Sequence, residues 1–392
     1  MWRSIRIIIA VLTLLETVNS DSVKHKHHVH CKNHQNQNVD WFVVYKLPKM
    51  NKIKYTDSYY VTPDGEEIAY FDSTMTQGHS PRWKQPHQSI YSQYNPVAYT
   101  LSPLFQRSKP TDIAYVIYND QVPEGFSGTK GGHSKGILMV GKRTTVWLQH
   151  SVPRFPKRLH RRYEYPTSGR ENAQLFLCIT VPTENTAEVI AYHLRLQYAN
   201  VYQRHRVTWM KAPRFPNFYM LLRGKYVKGK ESLANDTMYS VSGKQPVQYI
   251  AKRSTWQHDI YSDFVAPYVL RDNLVVETWR NGAGGAVDRL CRKYSVLDVK
   301  QVKIVFDTQK YCKFLYTEDH SKWAVSVYKE YFCFSSLNRM KSQFNRGGEV
   351  TCLENRNLAK LFRDSIAEKY PCTGYPGKKS FSKCCYHSIP RP

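Results

Sequence analysis

Acidic residues are scarce in this chain. Its 392 residues hold 31 Asp and Glu against 57 Lys and Arg, a formal net charge of +26. Protonation of its 15 histidines would carry that towards +41. The shortage excludes a surface of balanced charge and points to polyanionic partners: nucleic acid, an anionic membrane or acidic glycans. No Cys-x-x-Cys pair occurs among the nine cysteines, which removes support for a zinc ribbon or a thioredoxin-like motif. No apolar run beyond the first twenty residues is long enough to span a membrane. Aromatic residues are not lacking. They make up 14% of the chain, with 29 Tyr, and hydrophobic residues make up 41%. Such a chain can build a core and is not a disordered basic tail. Its length allows one large domain or two of ordinary size.

The two ends suggest a compartment. Residues 1–20 read as a secretory signal: Arg3 and Arg6, the apolar run Ile7 to Leu15, then small residues before a cut near Ser20 and Asp21. The expected localisation is lysosomal or secreted. There, widely spaced cysteines favour disulfides, and an odd count leaves at least one thiol over. Vicinal Cys384 and Cys385 are expected to pair elsewhere or stay free. The one N-x-Ser/Thr sequon, Asn235-Asp236-Thr237, is an expected glycan site on a surface loop. His25, His27, His28, His30 and His34 surround Cys31. Metal capture and a solvated terminus are the two readings. The second is preferred, because no carboxylate or second Cys completes a ligand set. Residues 375–392 read as an irregular tail.

An internal repeat places the chemistry. Gly132-His133-Ser134-Lys135 and Asp319-His320-Ser321-Lys322 share the tripeptide His-Ser-Lys. Once residues 1–20 are set aside, the offset between the copies matches half of the remaining chain almost to the residue, so each half carries one copy. An apolar segment ending at Asp120 precedes the first copy, and one ending at Asp307 precedes the second, each at the same distance from its histidine. Both read as buried strands. Downstream, His150-Ser151-Val152-Pro153-Arg154 and Ser335-Ser336-Leu337-Asn338-Arg339 share a polar-Ser-apolar-x-Arg pattern.

Alternate residues of a strand face one side. His133 with Lys135, and His320 with Lys322, would each point into one cleft. Two histidines and two lysines meeting between packed halves suit phosphodiester cleavage. One imidazole attacks phosphorus and the other protonates the leaving oxygen. The lysines neutralise the non-bridging oxygens. One ring must be neutral and the other charged, which favours an acidic optimum.

On these motifs the chain resembles the deoxyribonuclease II family. Val39-Asp40-Trp41-Phe42-Val43-Val44-Tyr45-Lys46-Leu47-Pro48, Tyr118-Asn119-Asp120, Trp147-Leu148-Gln149-His150, Asp259-Ile260-Tyr261, Val276-Glu277-Thr278-Trp279 and Gly347-Gly348 add to the likeness. It covers roughly residues 31–373. The resemblance implies an α/β, phospholipase-D-like duplicated fold. Its two similar halves, residues 21–200 and 201–374, would each have a central mixed sheet flanked by helices, with one shared active site. It implies an endonuclease that cuts double-stranded DNA, without sequence preference, to 3′-phosphate ends. It further implies acid conditions, no cofactor and no divalent metal, and a role in degrading DNA from dead or engulfed cells. A homodimer clamped around the duplex stays open. Carried over by position, His133, Lys135, His320 and Lys322 are catalytic, while His150 and Asn338 serve phosphate contact or orientation. The implied disulfides are Cys31–Cys178, Cys291–Cys372 and Cys333–Cys352, leaving Cys312, Cys384 and Cys385.

The family commonly has Gly-Asp where Ser335-Ser336 stands here. The missing acid would weaken orientation of the second-half histidine. Arg154, Lys157, Arg158, His160, Arg161 and Arg162 follow His150 and are expected at the cleft rim; Arg154 and Arg158 are the expected phosphate contacts. Residues 204–223 mix cations with Trp209, Phe215, Phe218 and Tyr219. They read equally as a stacking surface or as core aromatics under a solvated face. Two other classes remain: a noncatalytic polyanion-binding protein, and a phosphodiesterase acting on lipid or another substrate.

Overall fold

The computed structural model describes residues 29–50, 57–75, 80–125, 128–157, 162–282 and 284–374. The signal-like segment, His25, His27, His28, Arg158, His160, Arg161, Cys384, Cys385 and the tail from residue 375 lie outside the described residues.

A short hairpin, Cys31–Lys32 (β1) and Asn38–Val39 (β2), precedes the first large sheet. That sheet is built from Trp41–Lys46 (β3), Ile68–Asp72 (β4), Ala114–Asn119 (β5), Lys135–Val140 (β6), Thr144–His150 (β7), Gln174–Pro182 (β8) and Val201–His205 (β9). Its order is β4-β3-β8-β7-β6-β5-β9, antiparallel at every pairing. The second sheet comprises Leu233–Tyr239 (β10), Pro246–Lys252 (β11), Leu274–Glu277 (β12), Val296–Val305 (β13), Tyr311–Leu315 (β14), Trp323–Ser326 (β15), Tyr331–Ser335 (β16), Gly348–Glu354 (β17) and Ile366–Lys369 (β18). Its order is β10-β11-β17-β16-β15-β12-β13-β14, with β18 on β13. Among the described strands of this sheet, only the β12–β13 pairing is parallel.

This corrects one expectation. The second sheet is mixed, but the first is antiparallel throughout, because tight connections such as residues 141–143 replace helical crossovers. Helices are few among the described residues: the α-helices Pro96–Leu101 (α1), Thr186–Leu196 (α2), Pro216–Leu222 (α3) and Arg356–Asp364 (α4), with the ten-residue π-helix Tyr261–Leu270 and a few short 3-10 turns. None is long and apolar enough to cross a membrane.

The two sheets share a core order. The run β3-β8-β7-β6-β5 matches β11-β17-β16-β15-β12, and β6 and β15 each begin beside a His-Ser-Lys copy. Helix α2 follows β8 as α4 follows β17. The strand at Val201–His205 closes the first sheet although it lies past residue 200. The flanks matched in sequence are not counterparts. The strand before the first motif, β5, pairs with β6, whereas β13 pairs with β12, β14 and β18. The neighbour of β15 is β12. Asp307 is accordingly exposed, whereas Asp120 is buried. An apolar run ending in an acid marks a buried strand without saying which neighbour it takes.

Alternation explains how the sheets pack. Trp41, Val43 and Tyr45 enter a core shared by both sheets, and Phe42 and Val44 enter an outer cluster under the first. Helix α2 sends Ala187, Ile190, Ala191 and Leu194 into the shared core, on one helical face. Helix α4 adds Leu358, Ala359, Leu361 and Phe362, and Asn355 caps it by accepting from the Leu358 amide at 3.0 Å. The Phe362 ring meets Trp83, Trp323 and Phe332 with centroids 5.2, 5.0 and 4.1 Å away. Truncating it to Ala would cost about 3–5 kcal/mol. Disulfides join Cys31 to Cys178, Cys291 to Cys372 and Cys333 to Cys352. Cys312 is a buried free thiol.

Candidate active site

Each His-Ser-Lys copy stands at the entrance to a strand. Lys135 opens β6, and Trp323, the residue after Lys322, opens β15. Pairing of Asn119 with Lys135 brings the next residue, Asp120, against the lysine. The Lys135 ammonium lies 2.5 Å from Asp120 Oδ1, and Arg346 donates to Oδ2 at 3.1 Å. Burial alone would raise the Asp120 carboxyl. Lys135, His133 and Arg346 outweigh it and hold the carboxyl well below its ordinary range. Removing one partner of such a buried pair costs about 3–5 kcal/mol.

The His133 ring is oriented by the other sheet. Its Nδ1 lies 2.6 Å from the Ser336 carbonyl oxygen. A carbonyl only accepts, so Nδ1 carries the proton and Nε2 keeps its lone pair. The His133 amide donates to Gly347 O at 2.7 Å. Gly132 and Gly347 both press against the Gln197 carbonyl at the end of α2, where an added Cβ would land on the oxygen. Close approach of the two motif regions thus requires glycine on both sides.

Ser335 and Ser336 take a role that differs from the expected one. Ser336 lies against His133 through its backbone carbonyl, while the Ser335 amide donates to Lys322 O at 2.9 Å, so the pair touches both motifs. Their hydroxyls meet Glu349 backbone: Ser335 Oγ donates to its carbonyl at 3.0 Å, and its amide donates to Ser336 Oγ at 2.9 Å. The group that orients His133 is thus a backbone carbonyl, which any residue supplies.

The second motif is held differently. The His320 amide donates to Ala173 O at 2.9 Å. Its ring stands edge-on to Trp279, with centroids 5.1 Å apart. Among the described residues no hydrogen bond fixes the imidazole. The Lys322 ammonium donates to the His320 carbonyl at 2.6 Å. Asp319 is buried, accepts from the Tyr45 hydroxyl, and accepts from the Ser321 amide at 2.8 Å.

The two copies act on one another electrostatically. Burial comes first in lowering both histidines: His133 falls well below its ordinary value, helped by Lys135, and His320 falls to about 3, helped by Lys322 and Lys135. Lys322 is itself pushed down to about 7 by burial and then by Lys135. Lys46, fully buried and lowered to about 7 by burial, adds to the field at His320 and donates to Arg170 O at 2.7 Å. Both imidazoles are therefore neutral in the free protein at mildly acid pH. The cations that depress them form a site for an anion.

The remaining expected site residues divide. Asn338 follows Ser336 by two residues, and among the described residues its buried side-chain oxygen has no hydrogen-bond partner. Its neighbour Arg339 is buried on Asp298 at 2.8 Å and Asp259 at 3.3 Å, so it braces the loop. His150 ends β7 but is enclosed between the Phe155 and Phe176 rings. It backs Lys135 from inside the sheet and does not face solvent. Arg154 is exposed, and its amide donates to Gln121 O at 3.1 Å, which keeps it beside the Asp120 turn. Lys157 is partly neutralised by Glu164 at 2.9 Å.

In residues 204–223, Phe215 and Phe218 are core. Tyr219 is flanked by Arg206 and Arg223, each 5.9 Å from its ring. The Asn235 sequon sits on the exposed outer strand β10, not on a loop. Cys31 is taken by its disulfide, which removes it from any ligand set at the histidine-rich start. A separate groove of about 650 Å³ between Trp256, Phe264, Tyr268 and Tyr294 holds none of the motif residues.

Sequence reasoning left three contributors without a role: Lys46, Trp279 and Arg346. The first two stand inside segments that carried the family likeness, and Arg346 directly precedes Gly347-Gly348. Asp120 was legible as an acid closing a strand.

Comparison with known proteins places the chain in a family. The sequence model of the family described as Deoxyribonuclease II matches residues 30–372. The chain is 32% identical to Plancitoxin-1 of Acanthaster planci over 370 residues, which cover 93% of this chain and 97% of that one. It is 31% identical to Deoxyribonuclease-2-alpha of Mus musculus over 346 residues, 87% and 93% of the two chains. It is 30% identical to Cell-death-related nuclease 7 of Caenorhabditis elegans over 359 residues, 88% of each.

Proposed function

Because this chain belongs to the deoxyribonuclease II family, we propose that it is a hydrolase that cuts double-stranded DNA endonucleolytically in acid, leaving 3′-phosphate ends. The observation that carries the reading is that adjacent residues touch both His-Ser-Lys copies: the Ser335 amide donates to Lys322 O at 2.9 Å, and the Ser336 carbonyl holds His133 Nδ1 at 2.6 Å. Such proximity between segments half a chain apart suits one phosphate held by both. The matching strand runs of the two sheets support a duplicated, phospholipase-D-like arrangement.

The proposed chemistry has two steps. His133 Nε2 attacks phosphorus, and the P–O5′ bond breaks as the 5′ oxygen takes a proton from His320. Water then attacks the phosphohistidine. Neutral His320 accepts its proton, and the 3′-phosphate leaves with both rings restored. His133 suits the nucleophile because its Nδ1 proton is committed to the Ser336 carbonyl. His320 suits the acid because its ring is unanchored and partly accessible. In the free protein His320 sits near 3, so the bound phosphodiester anion must raise it. Lys135, Lys322 and Arg346 are the groups to offset charge on the non-bridging oxygens.

The positive surface supports contact with the DNA backbone independent of sequence. The name of the nematode relative supports a role in clearing DNA from dying cells, and residues 1–20 support delivery through the secretory pathway to lysosome or exterior. The test is plasmid nicking near pH 5 in excess EDTA, followed by end-group analysis. Nicking that survives the chelator and leaves 3′-phosphates is expected; 5′-phosphate ends, or loss of activity in EDTA, would overturn the mechanism.

A further inference from the structure

From Arg204 to Lys230 the sequence holds eight Lys and Arg and no Asp or Glu. All eight cations are exposed, and among the described residues none makes an ion pair.

The fold sets this segment beside the first motif. The Gly132 amide donates to Tyr198 O at 2.8 Å, and Asn200 Nδ2 donates to Asn119 O at 2.9 Å. From there the five residues of β9 lead along the edge of the first sheet, about 16 Å at the usual rise per residue. Helix α3 brings the chain back. Pro216 starts it, and Glu188 of α2 accepts from the Asn217 and Phe218 amides at 2.7 and 2.8 Å. Phe218, Leu221 and Leu222 turn into the core, which leaves Met220 and Arg223 outside. The return ends near its start. Tyr226 donates to Ala199 O at 3.2 Å and stacks on Tyr198 with centroids 4.7 Å apart. Arg253 pins the loop beyond, donating to Val227 O at 3.0 Å and Gly229 O at 2.8 Å.

The two limbs bring like charges together. Arg206, just after β9, and Arg223, just after α3, each lie 5.9 Å from the Tyr219 ring centroid. Arg204 donates to Leu222 O at 2.7 Å, which ties one limb to the other. The acids that touch the region serve neutral groups: Glu188 the α3 amides, Glu231 the Tyr192 hydroxyl. A solvated face ordinarily mixes both signs, and this one does not. A duplex presents one phosphate per about 3.4 Å of each strand, so a strip of about 16 Å faces about five on the nearer strand. A membrane contact would need apolar side chains to insert, and Met220 is the one large apolar side chain exposed in the segment.

We infer that residues 204–230 form a binding surface for the DNA backbone flanking the cut, continuous with the active site at Tyr198 and Asn200. The choice of DNA rests on the nuclease reading.

The test is binding of a duplex of about 30 base pairs, long enough to fill cleft and strip together. It is read by fluorescence anisotropy at pH 5 against salt, in the full chain carrying His133→Ala so that cleavage is slow. Adding Arg206→Gln, Arg214→Gln, Arg223→Gln and Lys225→Gln should weaken binding at least about tenfold. The slope of log affinity against log salt should shrink by about two to four, since each phosphate contact contributes about 0.9. A control that removes as many exposed charges elsewhere, at Lys142, Arg143, Lys310 and Lys369, should keep the parent slope to within about one. Lys211→Gln with Lys228→Gln should move both readings the same way by about half, and it decides the matter if the larger variant does not fold. An unchanged slope in a folded variant, or equal losses in variant and control, overturns the inference. So does a variant that releases phosphatidylserine vesicles yet keeps its duplex affinity, which would make the surface a membrane contact. If the chain with His133 intact nicks no plasmid while the binding losses are seen, the nuclease reading alone falls.

Discussion

The two His-Ser-Lys copies are identical as tripeptides and unlike in their surroundings. In the first, a buried acid holds the lysine at 2.5 Å, and a carbonyl from the other sheet fixes one tautomer of the histidine. In the second, the lysine turns to its own histidine's carbonyl, and the imidazole stands edge-on to Trp279 with no hydrogen bond among the described residues. A nucleophile needs a fixed tautomer and a set direction. An acid needs freedom to gain and lose a proton. Equal motifs thus acquire unequal tasks through their neighbours, with no change in the catalytic residue types.

The largest effect expected from this difference is on the histidines. His133→Ala and His320→Ala should each lower DNA cleavage by about 10²–10⁴-fold. They should part company on a phosphodiester with a nitrophenolate leaving group, which departs without a proton. His320→Ala should then recover the first-turnover burst of nitrophenolate to within about tenfold of wild type, with hydrolysis of the phosphohistidine still slow for want of its base, and His133→Ala should show no burst. Equal rescue of both variants would erase the assignment of roles.

A smaller effect concerns stability against pH. His320 is lowered to about 3 in the folded chain, against an ordinary 6.5. The unfolded chain therefore binds this proton first. The contribution is fully present above pH 6.5 and is lost as pH falls towards 3. Glu277, Asp319 and Glu349 are raised by burial and act in the opposite sense, so the total slope says little. The difference between proteins isolates the histidine. Melting of ligand-free His320→Asn should gain on wild type as pH drops from 6.5 to 3.5, and parallel melting curves would count against a buried neutral ring.

The smallest effect is expected at Ser336. Since the orienting oxygen belongs to the backbone, Ser336→Ala should keep cleavage within about threefold. It should lose about 1 kcal/mol of stability with the Glu349 amide bond. A collapse in rate without unfolding would mean that the hydroxyl, not the carbonyl, serves His133.

Much of the site was legible in the linear chain, and the reason is local. His133 and Lys135, like His320 and Lys322, travel together within one tripeptide, so their spacing survives folding. Buried strands such as 114–119 were legible as apolar runs. Their pairing was not. The run at 302–306 copies the look of 114–118, yet it joins β12 instead of the motif strand. The place of His150 was equally hidden, since enclosure between Phe155 and Phe176 depends on the loop after β7 and on β8. The meeting of Ser336 with His133 was hidden as well, because only contact between the sheets brings them together.

By itself the sequence determined what chemistry was to hand: two imidazoles, two ammonium groups, an excess of 26 positive charges and a family likeness along most of the chain. Such properties belong to residue types and short spacings. Which lysine is paired and which tautomer is held were decided only by the tertiary structure. Each depends on burial and on a partner far away in sequence: Arg346 on Asp120, the Ser336 carbonyl on His133, Lys135 on His320. Removal from water strengthens those long-range terms, and only folding removes them from water.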